Sequence, residues 1–141
     1  MDNIETVQDI YAAFGRGDIP AILERLAEDV RWDDYPHANG GAEAGVPWLQ
    51  ARHGRDGVQE FFATLAPLDI GRFEPLAYMA DGDRVAALID IELTDRESGR
   101  TIADEELHLW RFDDSGRVVE FRHYVDTAKH IHLAGLVGTA A

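Results

Sequence analysis

Two carboxylates stand side by side in Trp32-Asp33-Asp34-Tyr35, and two histidines, His108 and His123, sit in apolar segments nearer the C-terminus. On a strand, residues two apart share a face, so Val30, Trp32 and Asp34 point one way and Arg31, Asp33 and Tyr35 the other. That pattern predicts Asp34 as the inward carboxylate and Asp33 as the solvent-facing one. An Asp beside a Trp in an apolar cavity is desolvated, which raises its pKa and makes it a stronger base when ionised. The plainer reading is that Asp34 ends the strand and accepts turn hydrogen bonds ahead of Pro36.

His108 alternates with Asp104, Glu106 and Trp110 on one strand face. Facing a cavity, its N–H would donate to a developing oxyanion or carbonyl, and its pKa range suits acid–base work. It would otherwise be a core histidine satisfied by Glu106 or a backbone carbonyl. His123 shares a face with Val119, Phe121 and Val125. A lone histidine there is more often a satisfied core residue. Two histidines on adjacent strands with one Asp across the cavity would nonetheless make an acid–base set. Asp34, His108 and His123 are therefore the expected catalytic residues. Asp90, amid Leu88, Ile89 and Ile91, is a costly place for an unpaired charge. It either pairs with Arg or His, or lines the same pocket. Tyr11, Phe14, Trp32, Trp48, Phe61, Phe62, Trp110 and Phe121 would make a pocket suited to an apolar, cyclic ligand, or they are simply core.

No metal is expected. His130-x-His132 offers too few ligands, and the spacing of Asp34, His108 and His123 does not show a ligand set. With no cysteine in the chain, disulfides and thiolate chemistry are excluded. Gly15-x-Gly17 follows a helical pattern rather than a strand, so it is not a phosphate loop. No serine-nucleophile elbow is present, and no cofactor is expected.

The elements that must position these residues are readable from periodicity. Ile4, Val7, Ile10, Tyr11 and Phe14 recur at helical spacing, with a capping-box pair in Asp2 and Glu5. Asp18 caps a second helix that tolerates Pro20 in its first turn. The strand carrying the Asp pair follows. His37 to His53, rich in Gly, reads as a long loop in which Trp48 either folds over the cavity mouth or meets a dimer partner. A third helix begins near Asp56, with Val58, Phe61, Phe62 and Leu65 as its stripe. Four strands then follow over Arg72 to Met79, Arg84 to Thr94, Thr101 to Phe112 and Arg117 to Val125, joined at Asp81-Gly82-Asp83, Ser98-Gly99 and Asp113-Asp114-Ser115-Gly116. Thr127 to Ala141 would add a helical turn or an interface strand. Helices first and an antiparallel sheet after make an α+β plan, with helices on one face of a curved sheet and an apolar pocket between the layers.

The chain has 141 residues, 45% hydrophobic and 28% charged, which fits a single domain spanning 1–141. Its net charge is -14 and Lys129 is its one lysine. That balance opposes nucleic-acid binding and adsorption to an anionic membrane surface. No apolar run approaches a membrane span, and the acidic N-terminus does not resemble a secretory leader. A cytoplasmic location is expected.

YAAFGRGDIPAILERLAEDVRWDDYP, GRDGVQEFFATL and HLWRFDDSGRVVEFRHYVD together resemble the SnoaL-like branch of the nuclear-transport-factor-like superfamily, which includes ketosteroid isomerase, SnoaL-type cyclases and limonene epoxide hydrolase. The resemblance implies a cone, with three helices against a curved, mixed but mostly antiparallel sheet, an internal cavity, and a homodimer. Against the isomerase it puts Asp34 at the general-base position and His108 at an oxyanion-hole acid, while the oxyanion tyrosine falls on Ile10, one residue before Tyr11. Against the hydrolase it puts His123 and Asp90 at the two aspartates and Leu88 at the arginine. The implied function is a small-molecule enzyme acting by general acid–base chemistry on an apolar or cyclic carbonyl-type or epoxide-type metabolite, as an isomerase, cyclase or hydrolase. A non-catalytic binder of a hydrophobic ligand, or a dimeric interaction module, would use the same fold.

Overall fold

A computed structural model describes residues 2–37 and 39–136. The first helix, α1 (Asn3–Gly15), is closed by the expected box: Glu5 N donates to Asp2 Oδ1 at 2.8 Å and Asp2 N to Glu5 Oε1 at 3.3 Å. Gly17, at φ 71°, reverses the chain, and Asp18 caps α2 (Ile19–Glu24) by accepting from Ala21 N. Val7, Ile10 and Ala13 of α1 and Ile22 of α2 are buried. These two helices and α4 (Gly54–Thr64) are the three the sequence pattern specifies; α4 starts two residues earlier than its apolar stripe suggests.

Two short helices add to that plan. The segment between 37 and 53 is not one open loop. Asn39 Oδ1 accepts from Ala42 N at 2.7 Å and starts α3 (Gly40–Ala44), which Gly45 ends in the left-handed region at φ 94°. A 3-10 turn over Pro47–Leu49 then buries Val46, Trp48 and Leu49. In the C-terminal segment Asp126 caps α5 (Thr127–Leu133) by accepting from Lys129 N. The part of that segment beyond 136 lies outside the described residues. None of the described helices is long and apolar enough to cross a membrane.

Six strands form one open sheet in the order β2-β1-β6-β5-β4-β3. They are β1 (Leu26–Trp32), β2 (Arg52–His53), β3 (Leu68–Asp81), β4 (Arg84–Asp95), β5 (Thr101–Phe112) and β6 (Val118–Tyr124). Every pairing is antiparallel except β1 with β6, where Trp32 sits beside Phe121. The fold is α+β with a curved, mixed and mostly antiparallel sheet. β3 is longer than its alternation implies because Gly71 and Leu76 are each bulged out of register with β4, which lets the strand bend and continue. α1 packs on β3 and β4, and α4 on β1, so the helices cover the concave face.

Candidate active site

A cavity lies between that concave face and the helices, with about 710 Å³ of space when its open mouth is included. Ile10, Tyr11 and Phe14 enter it from α1, Phe61 and Phe62 from α4, and Trp48 from the 3-10 turn. Strand alternation supplies the opposite wall. Glu106, His108 and Trp110 come from one face of β5, and Phe121 and His123 from one face of β6. In the β5–β6 register, His108 pairs with His123 and Trp110 with Phe121. All eight aromatic residues expected to line the pocket do so, as do His108 and His123. His130 also lines it and the rest of the wall is apolar, so each polar atom in it acts in a low-dielectric setting.

The Asp pair is the reverse of what alternation predicts. β1 ends at Trp32, and Asp33 adopts a left-handed backbone at φ 54° while its N–H donates to Phe121 O at 2.9 Å. A residue in that region breaks the two-residue period, and Asp is among the few side chains that tolerate it. The Asp33 carboxylate therefore swings inward and its side chain is fully buried. Asp34 swings out, 40% exposed, and meets the exposed His53 at 2.5 Å. Asp34 does not line the cavity, and the buried carboxylate of the pair is Asp33.

Asp33 holds His123 at two points. Its Oδ1 accepts from His123 N at 2.7 Å and its Oδ2 from His123 Nδ1 at 2.6 Å. A carboxylate accepts, so Nδ1 carries a proton, and in the neutral imidazole Nε2 is the lone pair. Nε2 has no hydrogen-bond partner among the described residues. Burial pushes the His123 pKa down, but the charge and hydrogen bond of Asp33 outweigh it, aided by the charge of Glu106, and the net shift is upward. The arrangement is a buried carboxylate–imidazole dyad with its free nitrogen in an apolar cavity.

His108 belongs to a different network. Trp110 Nε1 donates to Tyr11 Oη at 3.1 Å, and Tyr11 Oη lies 2.8 Å from His108 Nδ1. His108 Nε2 donates to Glu106 Oε2 at 3.2 Å, and His130 Nε2 to Glu106 Oε1 at 2.8 Å. Trp48 Nε1 donates to His130 Nδ1 at 2.8 Å. Because an indole only donates, His130 must carry its proton on Nε2 and give it to Glu106. Glu106 then orders His108 in the same tautomer, and the Tyr11 hydroxyl donates to Nδ1. Burial lowers the His108 pKa against the pull of Glu106, so His108 is a neutral imidazole at neutral pH. Burial would raise the Glu106 pKa, but the two imidazole donors hold it well below the usual carboxylate range. Burial also drives the Tyr11 phenol pKa far up. Both His108 nitrogens are spent, so the oxyanion-donor role expected for it has no free N–H to use. His108 is the satisfied histidine of the plainer reading, and Glu106 is its partner.

Asp90 is a second correction. Ile89 and Ile91 are buried on the inner side of β4, so Asp90 faces outward, where Arg72 Nε meets it at 2.9 Å. It pairs with an arginine and does not line the pocket. His130, whose spacing to His132 suggested a weak metal motif, instead carries the Glu106 network on α5. Asp104, Glu106 and His130 have ligand atoms within 4.8 Å of one another. A metal there would need the His130 Nε2 lone pair, whereas the Trp48 N–H holds the lone pair on Nδ1. The donor set does not fit a cation.

The sequence matches the SnoaL-like domain family over residues 7–121. A solved NTF2-like protein from Burkholderia pseudomallei K96243 is 33% identical, with 95% of this chain and 98% of that chain covered and a TM-score of 0.80. TerC, co-crystallised with polyporic acid, is 28% identical over 94% of this chain and 98% of that chain, with a TM-score of 0.77. An NTF2-like protein from Burkholderia thailandensis E264 is 26% identical over 94% and 97%, with a TM-score of 0.79. No protein with a curated description matches.

Proposed function

The chain belongs to the SnoaL-like domain family, and from that premise we propose that it is a small-molecule enzyme in which the Asp33–His123 dyad is the general base. The observation that carries this reading is the buried Asp33 carboxylate fixing His123 Nδ1 at 2.6 Å while Nε2 is left free in the cavity. Nε2 takes a proton from a carbon acid next to a carbonyl, and Asp33 stabilises the imidazolium that results. Return of that proton to a different carbon is an isomerisation; attack by the carbanion on a second carbonyl carbon of the same molecule, whose π pair moves to its oxygen and takes the proton back from His123, is a cyclisation. The aromatic lining suits an apolar, cyclic substrate. The co-crystallisation of TerC with polyporic acid supports a cyclic organic ligand for a cavity of this shape.

A ligand binder without turnover is the second reading. The observation favouring it is that Tyr11, His108, Glu106 and His130 spend their polar atoms on one another. One experiment separates the two. 1-Tetralone, a flat bicyclic ketone with exchangeable protons at C2, is incubated with the protein in D2O and deuterium uptake is followed by NMR. The enzyme reading expects accelerated uptake, with His123→Gln losing roughly 100-fold or more of the acceleration. Binding of the ketone without faster exchange in the wild type would sink the base role and leave the binder.

A further inference from the structure

We propose that the indole N–H of Trp32 is the donor that holds the substrate's oxygen, so that the cavity selects flat cyclic ketones over hydrocarbons of the same shape. The chain has three tryptophans. Trp48 donates to His130 and Trp110 to Tyr11. Trp32 is only 2% exposed, lines the cavity, and its buried Nε1 has no partner among the described residues. Buried N–H groups are nearly always matched, and an unmatched one is a standing cost. An indole cannot flip to exchange donor for acceptor, so the missing partner must be an acceptor atom.

The protein around Trp32 supplies none. The ring neighbours are Phe61 at 5.2 Å, Phe62 at 6.2 Å, Trp110 at 5.9 Å and Phe121 at 4.0 Å between centroids. Nε1 is buried, so an entering oxygen must displace part of this aromatic packing to reach it. Phe121 lies stacked on Trp32 and edge-on to His123, whose ring is 4.5 Å away. Trp32 and His123 therefore both pack against Phe121 on the cavity wall. In the proposed pose a cyclic ketone sets its oxygen at Trp32 and its acidic carbon at His123.

The chemical half of this inference rests on the general-base reading; the binding half does not. In the chemical half, His123 Nε2 forms a bond to the proton of a carbon adjacent to, or conjugated with, the carbonyl. The C–H pair becomes a C=C bond, and the carbonyl π pair moves onto oxygen as an enolate. Trp32 N–H bonds that oxygen more strongly than the neutral ketone, because its charge has grown. Collapse of the enolate returns the proton from His123 to carbon, and atoms and electrons balance.

The test compares 1-tetralone with tetralin, which has the same skeleton and no oxygen, by calorimetry on wild type, Trp32→Phe and Asp34→Asn. Trp32→Phe should lower the ketone-to-hydrocarbon affinity ratio roughly tenfold, one hydrogen bond's worth, while Asp34→Asn, outside the cavity, leaves the ratio alone. Wild type alone gives an independent readout should Trp32→Phe fail to fold. The indole N–H signal assigned to Trp32 by its contacts with Phe61 and Phe121 should move downfield with the ketone and stay in place with the hydrocarbon. An unchanged ratio in Trp32→Phe, a Trp32 signal indifferent to the ketone, or no binding of either compound overturns the proposal. A shifted ratio without deuterium uptake in wild type keeps the donor and removes the base.

Discussion

Asp33→Asn and Asp34→Asn are adjacent, isosteric changes that the structure makes very unequal. The Asp33 carboxylate accepts two hydrogen bonds, from His123 N and His123 Nδ1, with its side chain fully buried. Asparagine retains one acceptor oxygen and turns an NH2 toward one of the two donors. The loss is at least one charge-assisted hydrogen bond, about 1.5–3 kcal/mol, plus an unpaired buried donor. For a chain of this length that is a fall in Tm of roughly 5–10 °C. Asp34 and His53 form an exposed pair, so Asp34→Asn should cost less than about 1 kcal/mol. The pH dependence has a definite sign. His123 is raised above its ordinary value by Asp33, so the pair's contribution is fully present below about pH 6.5 and fades as pH rises through the raised value. The gap in Tm between wild type and Asp33→Asn should therefore be widest in mild acid and narrow in base. The imidazole NMR titration of His123 should move down in Asp33→Asn, where burial acts unopposed, and stay in place in Asp34→Asn. If Asp34→Asn moves that titration and Asp33→Asn does not, the left-handed turn at Asp33 and the dyad built on it are wrong.

Two further changes probe the second network. Glu106→Gln leaves one imidazole N–H facing an amide NH2 and should destabilise by about 3 kcal/mol, as broken buried pairs do. Because Glu106 is held below the usual carboxylate range, its contribution is present above about pH 4.3 and lost as pH falls through the depressed value, so circular dichroism should show this variant missing part of the wild type's decline in strong acid. Tyr11→Phe strands Trp110 Nε1 and empties the place opposite His108 Nδ1, so urea unfolding should show a loss of about 1–3 kcal/mol with a nearly unchanged m-value.

Much of the fold was legible because its periods are clean. The 3.6-residue stripe of α1, the Asp2–Glu5 box, the Asp18 cap and the turns at Gly82 and Gly99 are local signals, and local signals survive folding. Alternation on β5 and β6 likewise put His108, Trp110, Phe121 and His123 on the inner face. What alternation could not carry was its own interruption at Asp33, where one positive φ exchanges the roles of two neighbouring residues. Asp90 was decidable by the same rule, since Ile89 and Ile91 claim the inner face, yet the apolar setting outweighed the parity. His130 carried no usable local signal. Its role follows from where a seven-residue helix docks, which is a tertiary fact.

The two histidines that look alike in the sequence therefore differ in what surrounds them. His108 sits in a chain running from Trp110 through Tyr11, His108, Glu106 and His130 to Trp48, in which every donor meets an acceptor. That chain ties α1, β5, α5 and the 3-10 turn around one ionised carboxylate, and an ion that deep is tolerable only while its donors stay in place. Its chemistry is turned inward, and its effect on a ligand is to fix the wall and to bias His123 toward the charged form through the field of Glu106. His123 is anchored on one side only. A side chain held by a buried carboxylate at one nitrogen and left open at the other is oriented and unspent, which is what proton transfer requires. The same criterion picks out Trp32 among three tryptophans and sets aside Asp34, whose carboxylate is exposed and already paired. Among the cavity's polar side chains, His123 Nε2 and Trp32 Nε1 are the atoms without a partner among the described residues, and Asp33 spends both its oxygens on holding His123.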